Sequence, residues 1–414
     1  MGERDSELPR IALFSRYSLA EQFDLAAEFR EMVHCLAESG DVYHLSLKGP
    51  RDHGELPERI QVDLLPASVN RASSKDVLIK TMSLYFLLPI AIWKFRKFRP
   101  DVIFLTEIIP LAGLILRWSC QTRVGTAYGD RHLHNFFAGK WWSGPVLKTA
   151  EWLEKFEITR LQGLFCRAES ARIRLNEWGV EDDRIRVVHD APDPSAFYPR
   201  DEGTLRKKIG FKNEDVVLLY HGVMHHGKGL DMLLNWTAEL LAGDPRIAIV
   251  MVGGGPEEAS LRQQAQDLGL GSRVHFTGWL PTIEDVGRYC NAADICIAMR
   301  TGAEANDKIV PGALLHSMAC GKVVIGPALR GISEIIRDGV NGFTFRPDDG
   351  GDFQTLIRRL ADERDSWSRV GETAYQDICR TYSVTAAARQ YAQAIAHFGS
   401  VDRPCETTAT SDQA

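Results

Sequence analysis

An α/β fold of two doubly wound, Rossmann-like domains is predicted by three features of the sequence. Short apolar runs of strand length alternate with longer helical patterns, which points to parallel sheets with helices on both faces. The segment Asp190-Ala191-Pro192-Asp193-Pro194 interrupts that alternation and reads as a linker, because two prolines cannot continue an element. Beyond it the alternation begins again more cleanly. The 414 residues suffice for two domains with ample cores.

In the first half, Arg10–Ser15 (RIALFS) is the first strand, and a helical pattern follows over Ala20–Ser39. Val42–Leu47 and Arg59–Leu65 return to strand. Val77–Arg99 is the most lipophilic stretch. Its apolar centre, Met82–Trp93, is too short to span a bilayer and is expected to break at Pro89. Lys94, Arg96, Lys97 and Arg99 follow at once. Two readings stand: a core helix with a cationic last turn, or a surface helix that meets an anionic membrane. Asp101–Thr106 is a buried strand, then a helix runs to Cys120 and a strand to Tyr128. The loop Gly129–His134 lies past that strand's C-terminal end, where open α/β sheets bind ligands. Asp130 is a candidate for acid–base work there. His132 and His134 are either structural or catalytic, and without a third ligand they make a poor metal site. A helix over Lys148–Leu161, a strand at Gly163–Ala168, a helix to Trp178 and a strand at Arg184–Val188 complete this half.

In the second half, strands are expected at Val216–Tyr220, Ile247–Val252, Val274–Thr277, Asp294–Ala298 and Val323–Gly326. Helices are expected at Leu230–Leu241, Glu257–Leu268 and Ser333–Ile336, then a turn and strand over Gly339–Arg346. Glu363–Tyr382 and Thr385–Phe398 close the chain as helices.

Composition narrows the function classes. Apolar content of 44% and charged content of 25% are those of an ordinary soluble domain. The net charge of −6 gives no general case for nucleic-acid binding. The eight cysteines show no CxxC and no regular framework, so reduced thiols in a cytoplasmic protein are expected. MGERDSELPR lacks the apolar core of a signal peptide, and the tail after His397 is polar.

The chemistry concentrates in the second half. Several glycine loops each follow a strand and precede a helix: Gly222–Gly229, Gly253–Gly255 and Gly278 with Trp279 and Leu280. Glycine lets backbone approach a ligand closely. Lys228, at a helix start, is placed to neutralise a diphosphate, or is a solvated surface lysine. Asn306–Gly321 turns at Val310-Pro311-Gly312 into a helix whose first N–H groups suit a phosphate or sugar. Lys308 and His316 bracket that turn.

Residues 215–350 resemble the C-terminal domain of retaining GT-B glycosyltransferases of the family 4 type. The stretches that carry the resemblance are GVMHHGKGLDMLL, VMVGGGPEEASL, VHFTGWLP and LLHSMACGKVVIGPALRGISEIIRDGVNGFTFRPDD. WLEKFEITRLQGLFCRAES and RIRVVHDAPDPSAFYP are similar to the end of the family's N-terminal domain. The resemblance implies two Rossmann-like domains facing a central cleft: 1–195 for the acceptor, 196–383 for the nucleotide sugar, a helix at 384–398 crossing back, and a tail at 399–414. It implies a nucleotide-diphosphate sugar as co-substrate, no further cofactor and no metal. The implied donor contacts are Gly222, Val223, Lys228, Gly253, Gly254, Gly278, Trp279, Leu280, Asn306, Lys308, Pro311, Gly312, Ala313 and His316. Asp130 falls near the acceptor; with Lys228 and His316 it completes the catalytic set.

Some positions depart from the family pattern. Val223 stands where an arginine is usual, and Arg16-Tyr17-Ser18 replaces a glycine-rich loop after the first strand. Lys308 and His316 stand where two glutamates usually contact the donor sugar and ribose, and Glu304 could serve if the loop is shifted. A histidine can still bond a ribose hydroxyl, basic residues could suit an acidic sugar, or the site has lost activity. The expected function is retaining, metal-independent sugar transfer in polysaccharide, glycolipid or small-molecule glycoside biosynthesis. The acceptor would be a sugar, free or lipid-linked. The setting would be cytoplasmic, with contact to the inner face of a membrane through residues 77–99. The alternative is an inactive homologue that supports a partner. A phosphorylase or epimerase of the same fold is a lesser option.

Overall fold

The computed structural model describes residues 8–20, 26–47, 56–66, 74–128 and 143–400. The chain divides into two compact units. Unit 1 holds residues to Cys166, Arg174–Val188 and the chain from Ala388; unit 2 holds Arg167–Ile173 and His189–Ala387.

Unit 1 is built on a seven-stranded parallel sheet in the order β3-β2-β1-β4-β5-β6-β7. Its strands are β1 (Arg10–Ser15), β2 (Asp41–Leu47), β3 (Ile60–Leu65), β4 (Val102–Leu105), β5 (Arg123–Tyr128), β6 (Gly163–Cys166) and β7 (Ile185–Val187). Helices α1 (Ala26–Ser39), α2 (Ser74–Phe98), α3 (Ala112–Cys120) and α4 (Ser143–Ile158) lie between strands, and α5 (Glu169–Glu177) is shared, its first turn belonging to unit 2 and its end to unit 1. The β4 strand, VIFL, is wholly buried, as a parallel strand covered on both faces should be. Pro89 does not break α2, which runs through it for 25 residues. Leu84, Leu88, Ala91 and Phe95 are buried on both sides of the proline, so packing holds the two halves together despite the missing N–H. In the turn after β1, Arg16 is buried and its guanidinium pairs with Glu107 at 2.5 Å.

Unit 2 has a six-stranded parallel sheet in the order β10-β9-β8-β11-β12-β13. The strands are β8 (Val216–His221), β9 (Ile247–Val252), β10 (Val274–Gly278), β11 (Ile295–Ile297), β12 (Val323–Pro327) and β13 (Phe343–Phe345). The helices are α6 (Gly203–Lys208), α7 (Leu230–Gly243), α8 (Glu258–Asp267), α9 (Ile283–Ala292), α10 (Glu304–Asp307), α11 (Gly312–Ala319), α12 (Arg330–Ser333), α13 (Gly350–Asp362) and α14 (Trp367–Thr381). A last helix, α15 (Val384–Ser400), passes from unit 2 into unit 1 at Ala388. Alternation along the strands makes two cores. Val216, Leu218 and Tyr220 face one way with Leu233 and Leu234 of α7. Val217 and Leu219 face the other with Leu314 and Met318 of α11.

Helices α6, α9, α10 and α13 are not expected from the sequence. Both α9 and α13 carry N-caps: Thr282 Oγ1 accepts from the Asp285 N–H at 3.2 Å, and Asp349 Oδ1 from that of Asp352 at 2.8 Å. The short helix near Ser333 begins earlier than expected, at Arg330.

Candidate active site

In unit 2 the chain runs outward from β8 to β10, then returns to place β11 on the other side of β8. The C-terminal ends of β8 and β11 are therefore the switch point of the sheet, where α/β folds leave a crevice for ligands. The Gly222–Gly229 loop, residues 298–312 and the start of α11 all issue from this edge.

Glycines lace the loops together. The Gly222 N–H bonds to Val252 O at 3.0 Å, Gly253 N–H to Gly278 O at 3.1 Å, and Met224 N–H to Gly254 O at 2.8 Å. Gly253 has φ +112°, and a Cβ there would lie 2.3 Å from Gly222 O. A Cβ on Gly254 would lie 2.7 Å from Trp279 Nε1. The indole thus rests beside this loop while 66% of Trp279 stays exposed. Val223 is also exposed, and Leu280 is half-buried.

Lys228 ends a short 3-10 turn, His226–Lys228, and Gly229 with φ +67° passes the chain into α7. The lysine is partly exposed. Its charge helps to hold the pKa of His225 below the ordinary value, after burial as the larger cause. Asn306 fixes this turn by hydrogen bonding. Its buried amide donates to Gly227 O at 3.0 Å and to Thr301 Oγ1 at 2.7 Å. The Asn306 nitrogen is spent on joining two loops, which leaves its carbonyl for other contacts. Lys308 is partly exposed, and its backbone carbonyl accepts from Ser170 Oγ at 2.6 Å. The neighbouring Asp307 pairs with Arg330 at 2.5 Å.

Pro311 is the extended N-cap of α11, so the N–H groups of Gly312 and Ala313 have no partner within the helix. One turn on, His316 stacks on Phe197 with ring centroids 4.1 Å apart and planes 5° from parallel. His221 stacks near His316 at 5.6 Å. The Cε1 edge of His316 comes to 3.7 Å from the Cβ position of Gly312, so the ring borders the helix entrance. Burial pushes the His316 pKa down to about 4. Burial, then the neighbouring His316, push His221 down to about 3, against a hydrogen bond with the Ala313 backbone. Both rings are neutral near pH 7, and each can donate from one nitrogen and accept on the other.

Lys228, Asn306, His316 and the glycine loops thus gather at one sheet edge. Phe197 and His221 join them without having been singled out from the sequence. Phe197 lies within SAFYP, and nothing in that string marks it as a partner of a residue more than a hundred positions away. Asp130, His132 and His134 lie outside the described residues. Among the described residues no group of three His, Cys, Asp or Glu side chains is placed to hold a metal ion.

Residues 215–363 match the family model described as "Glycosyl transferases group 1". The chain is 29% identical over 234 residues to a D-inositol 3-phosphate glycosyltransferase of Nocardioides sp., covering 53% of this chain and 50% of that protein. It is 28% identical over 204 residues to the putative glycosyltransferase EpsD of Bacillus subtilis, with 49% of each chain covered. The chain spans about half the length of these curated relatives. Among solved structures, Anabaena Alr3699/HepE in complex with UDP superposes with a TM-score of 0.68 at 17% identity, covering 94% of this chain and 100% of that one. WaaG, a glycosyltransferase involved in lipopolysaccharide biosynthesis, gives 0.63 at 17% identity, covering 93% and 99%. These two likenesses concern the fold: paired parallel sheets of the GT-B type.

Proposed function

We propose that this chain, which belongs to the glycosyl transferases group 1 family and has the GT-B fold, transfers a hexosyl group from a nucleotide-diphosphate sugar to an acceptor with retention. The observation that carries the reading is the convergence of glycine-laced loops, Lys228 and the α11 entrance at the switch point of unit 2, within the stretch that matches the family. In this reading Lys228 and the Gly312 and Ala313 N–H groups neutralise the diphosphate. The neutral His316 bonds a ribose hydroxyl, and Trp279 borders the base. Lys308 faces the sugar. The leaving phosphate helps to take the acceptor proton, and Asp130 contributes from the acceptor side. Uridine is the first base to try, since the Anabaena relative is seen with UDP.

The acceptor in this reading is a sugar or a lipid-linked sugar of polysaccharide or glycolipid synthesis. The site of action is the cytoplasmic face of a membrane, touched through residues 77–99. Among the described residues no helix is long and apolar enough to cross a membrane.

The bases Lys308 and His316 favour a second reading, an inactive homologue that binds nucleotide in support of a partner. Thermal shift against UDP, GDP, TDP and their sugars tests binding, because a ligand of the folded state raises its melting temperature. Hydrolysis or transfer of the stabilising nucleotide sugar then separates the two readings. No shift with any nucleotide would overturn both.

A further inference from the structure

Helix α2 is apolar on two sides. Leu84, Leu88, Ala91 and Phe95 form its inner face, each no more than 5% exposed. Met82, Phe86, Ile90 and Trp93 form the other face, exposed by 47%, 78%, 38% and 63%. Their spacing places them on one stripe, about 17 Å long at the rise of an α-helix. A helix apolar all round belongs in a core or against lipid, and only one side of α2 has a core.

The chemistry changes at one end of the stripe. Tyr85 Oη donates to Pro110 O at the start of α3, and Arg96 Nε donates to Ser119 O at its end, 2.7 Å away. The two helices therefore run side by side in the same direction. Trp118 of α3, 66% exposed, accordingly stands at the same end as Trp93. Arg96 and Lys97 are exposed there, with the Lys97 ammonium 6.0 Å from the Trp93 ring centroid. Lys94 is turned instead to Asp63, at 2.5 Å.

We propose that this face docks in the plane of an anionic bilayer. Met82, Phe86 and Ile90 enter the acyl boundary, Trp93 and Trp118 sit at headgroup depth, and Arg96 and Lys97 pair with lipid phosphates. Charge complementarity selects this occupant: the chain is acidic overall, at −6, yet the exposed apolar stripe ends in cations. The proposal rests on the membrane part of the functional reading and is independent of sugar transfer.

The test is co-sedimentation of the full chain with vesicles of phosphatidylcholine alone or with phosphatidylglycerol, alongside the UDP thermal shift. The expected result is binding to the anionic vesicles and little to the neutral ones. Phe86→Ser with Trp93→Ser should weaken binding at least about tenfold. Arg96→Gln with Lys97→Gln should weaken it by about fivefold per cation lost and flatten its dependence on phosphatidylglycerol. Both variants should keep the wild-type circular dichroism and UDP response. Absence of wild-type binding, or unchanged binding in the Phe86 and Trp93 variant, would overturn the proposal. So would a lipid-free dimer abolished by that variant, since the face would then serve a second copy. A missing UDP response in the wild type would count against the transferase reading and leave the vesicle result intact.

Discussion

The ring of His316 lies flat on that of Phe197, 4.1 Å away. Phe197 is 2% exposed and packs in the core that α11 shares with β8 and β12, so it is both floor and filler. Phe197→Ala should cost about 3–5 kcal/mol in unit 2, the usual loss for a buried phenylalanine. Phe197→Leu keeps most of the volume and should cost only about 1 kcal/mol, chiefly the ring stacking. If the ring positions His316 against a ribose, the leucine variant should also bind UDP more weakly. Urea unfolding and calorimetric titration read the two effects separately.

The same stack gives a pH dependence. His316 and His221 have folded pKa values of about 4 and about 3. In the unfolded chain both would titrate near 6.5. As pH falls below 6.5 the unfolded state gains protons that the folded state refuses, so stability is lost on acidification toward pH 4. A shift from 6.5 to about 4 at His316 alone is worth on the order of 3 kcal/mol by the bottom of that window. His316→Gln should flatten the urea midpoint against pH between 6.5 and 4. An unchanged slope would show that the imidazole is not held neutral.

Much of the fold was legible because parallel strands buried on both faces are continuous apolar runs. VVLLY and IAIVMV could be read as strands at sight, and the glycine loops after them located the sheet edge. What was missed had other causes. Helix α9 carries a Thr282 cap, but it is only ten residues long and its buried positions include Gly287 and Asn291, which do not register as hydrophobic. Helix α13 opens on two glycines, which suggest a loop. Pro89 argued for a break that tertiary packing overrode. The His316–Phe197 stack joins residues brought together only when the chain before β8 returns to α11, and no local pattern encodes that. The same holds for Asn306, whose nitrogen braces the Lys228 turn through Gly227 O and so joins two loops far apart in sequence.

That brace is testable. Asn306→Ala removes donors to Gly227 O and Thr301 Oγ1 in a buried setting and leaves those acceptors unpaired. A loss of about 1–3 kcal/mol is expected. Asn306→Asp keeps the size but replaces the donor with an acceptor, and should be at least as damaging. Either variant should loosen the Lys228 turn, seen as faster amide exchange at Gly227–Gly229 than in the wild type.

In unit 1, Glu157 is buried and its carboxylate accepts from the Leu111 and Gly113 N–H groups, each at 2.8 Å, at the entrance of α3. Burial pushes its pKa up to about 7, against those hydrogen bonds. A raised carboxylate favours the folded state when protonated. Its contribution is therefore full below the unfolded value near 4.5 and is lost as pH rises toward 7. Glu157→Gln should remove that slope from the stability of unit 1. Gly113→Ala would bring a Cβ to 2.9 Å from Glu157 Oε1, and a loss of about 1–3 kcal/mol is expected from overpacking.

The diphosphate and base contacts can be separated with two ligands. Lys228 sits at a helix entrance, and its charge adds to the burial that depresses the neighbouring His225, so a bound pyrophosphate would meet a positive charge there. Lys228→Ala should weaken UDP and inorganic pyrophosphate alike, by about 10–100-fold, the range of a charge-assisted hydrogen bond. Folding stability should hardly change, because the side chain is partly exposed. Trp279 makes a different prediction. Its indole borders Gly254 and is largely exposed, so it can lend a base only stacking area. Trp279→Ala should weaken UDP by about tenfold and leave pyrophosphate untouched. Calorimetric titration of the four pairs decides the matter. Equal losses for both ligands at Trp279 would mean that the indole shapes the phosphate loop instead of reading the base, and unchanged pyrophosphate affinity at Lys228 would remove the lysine from the site.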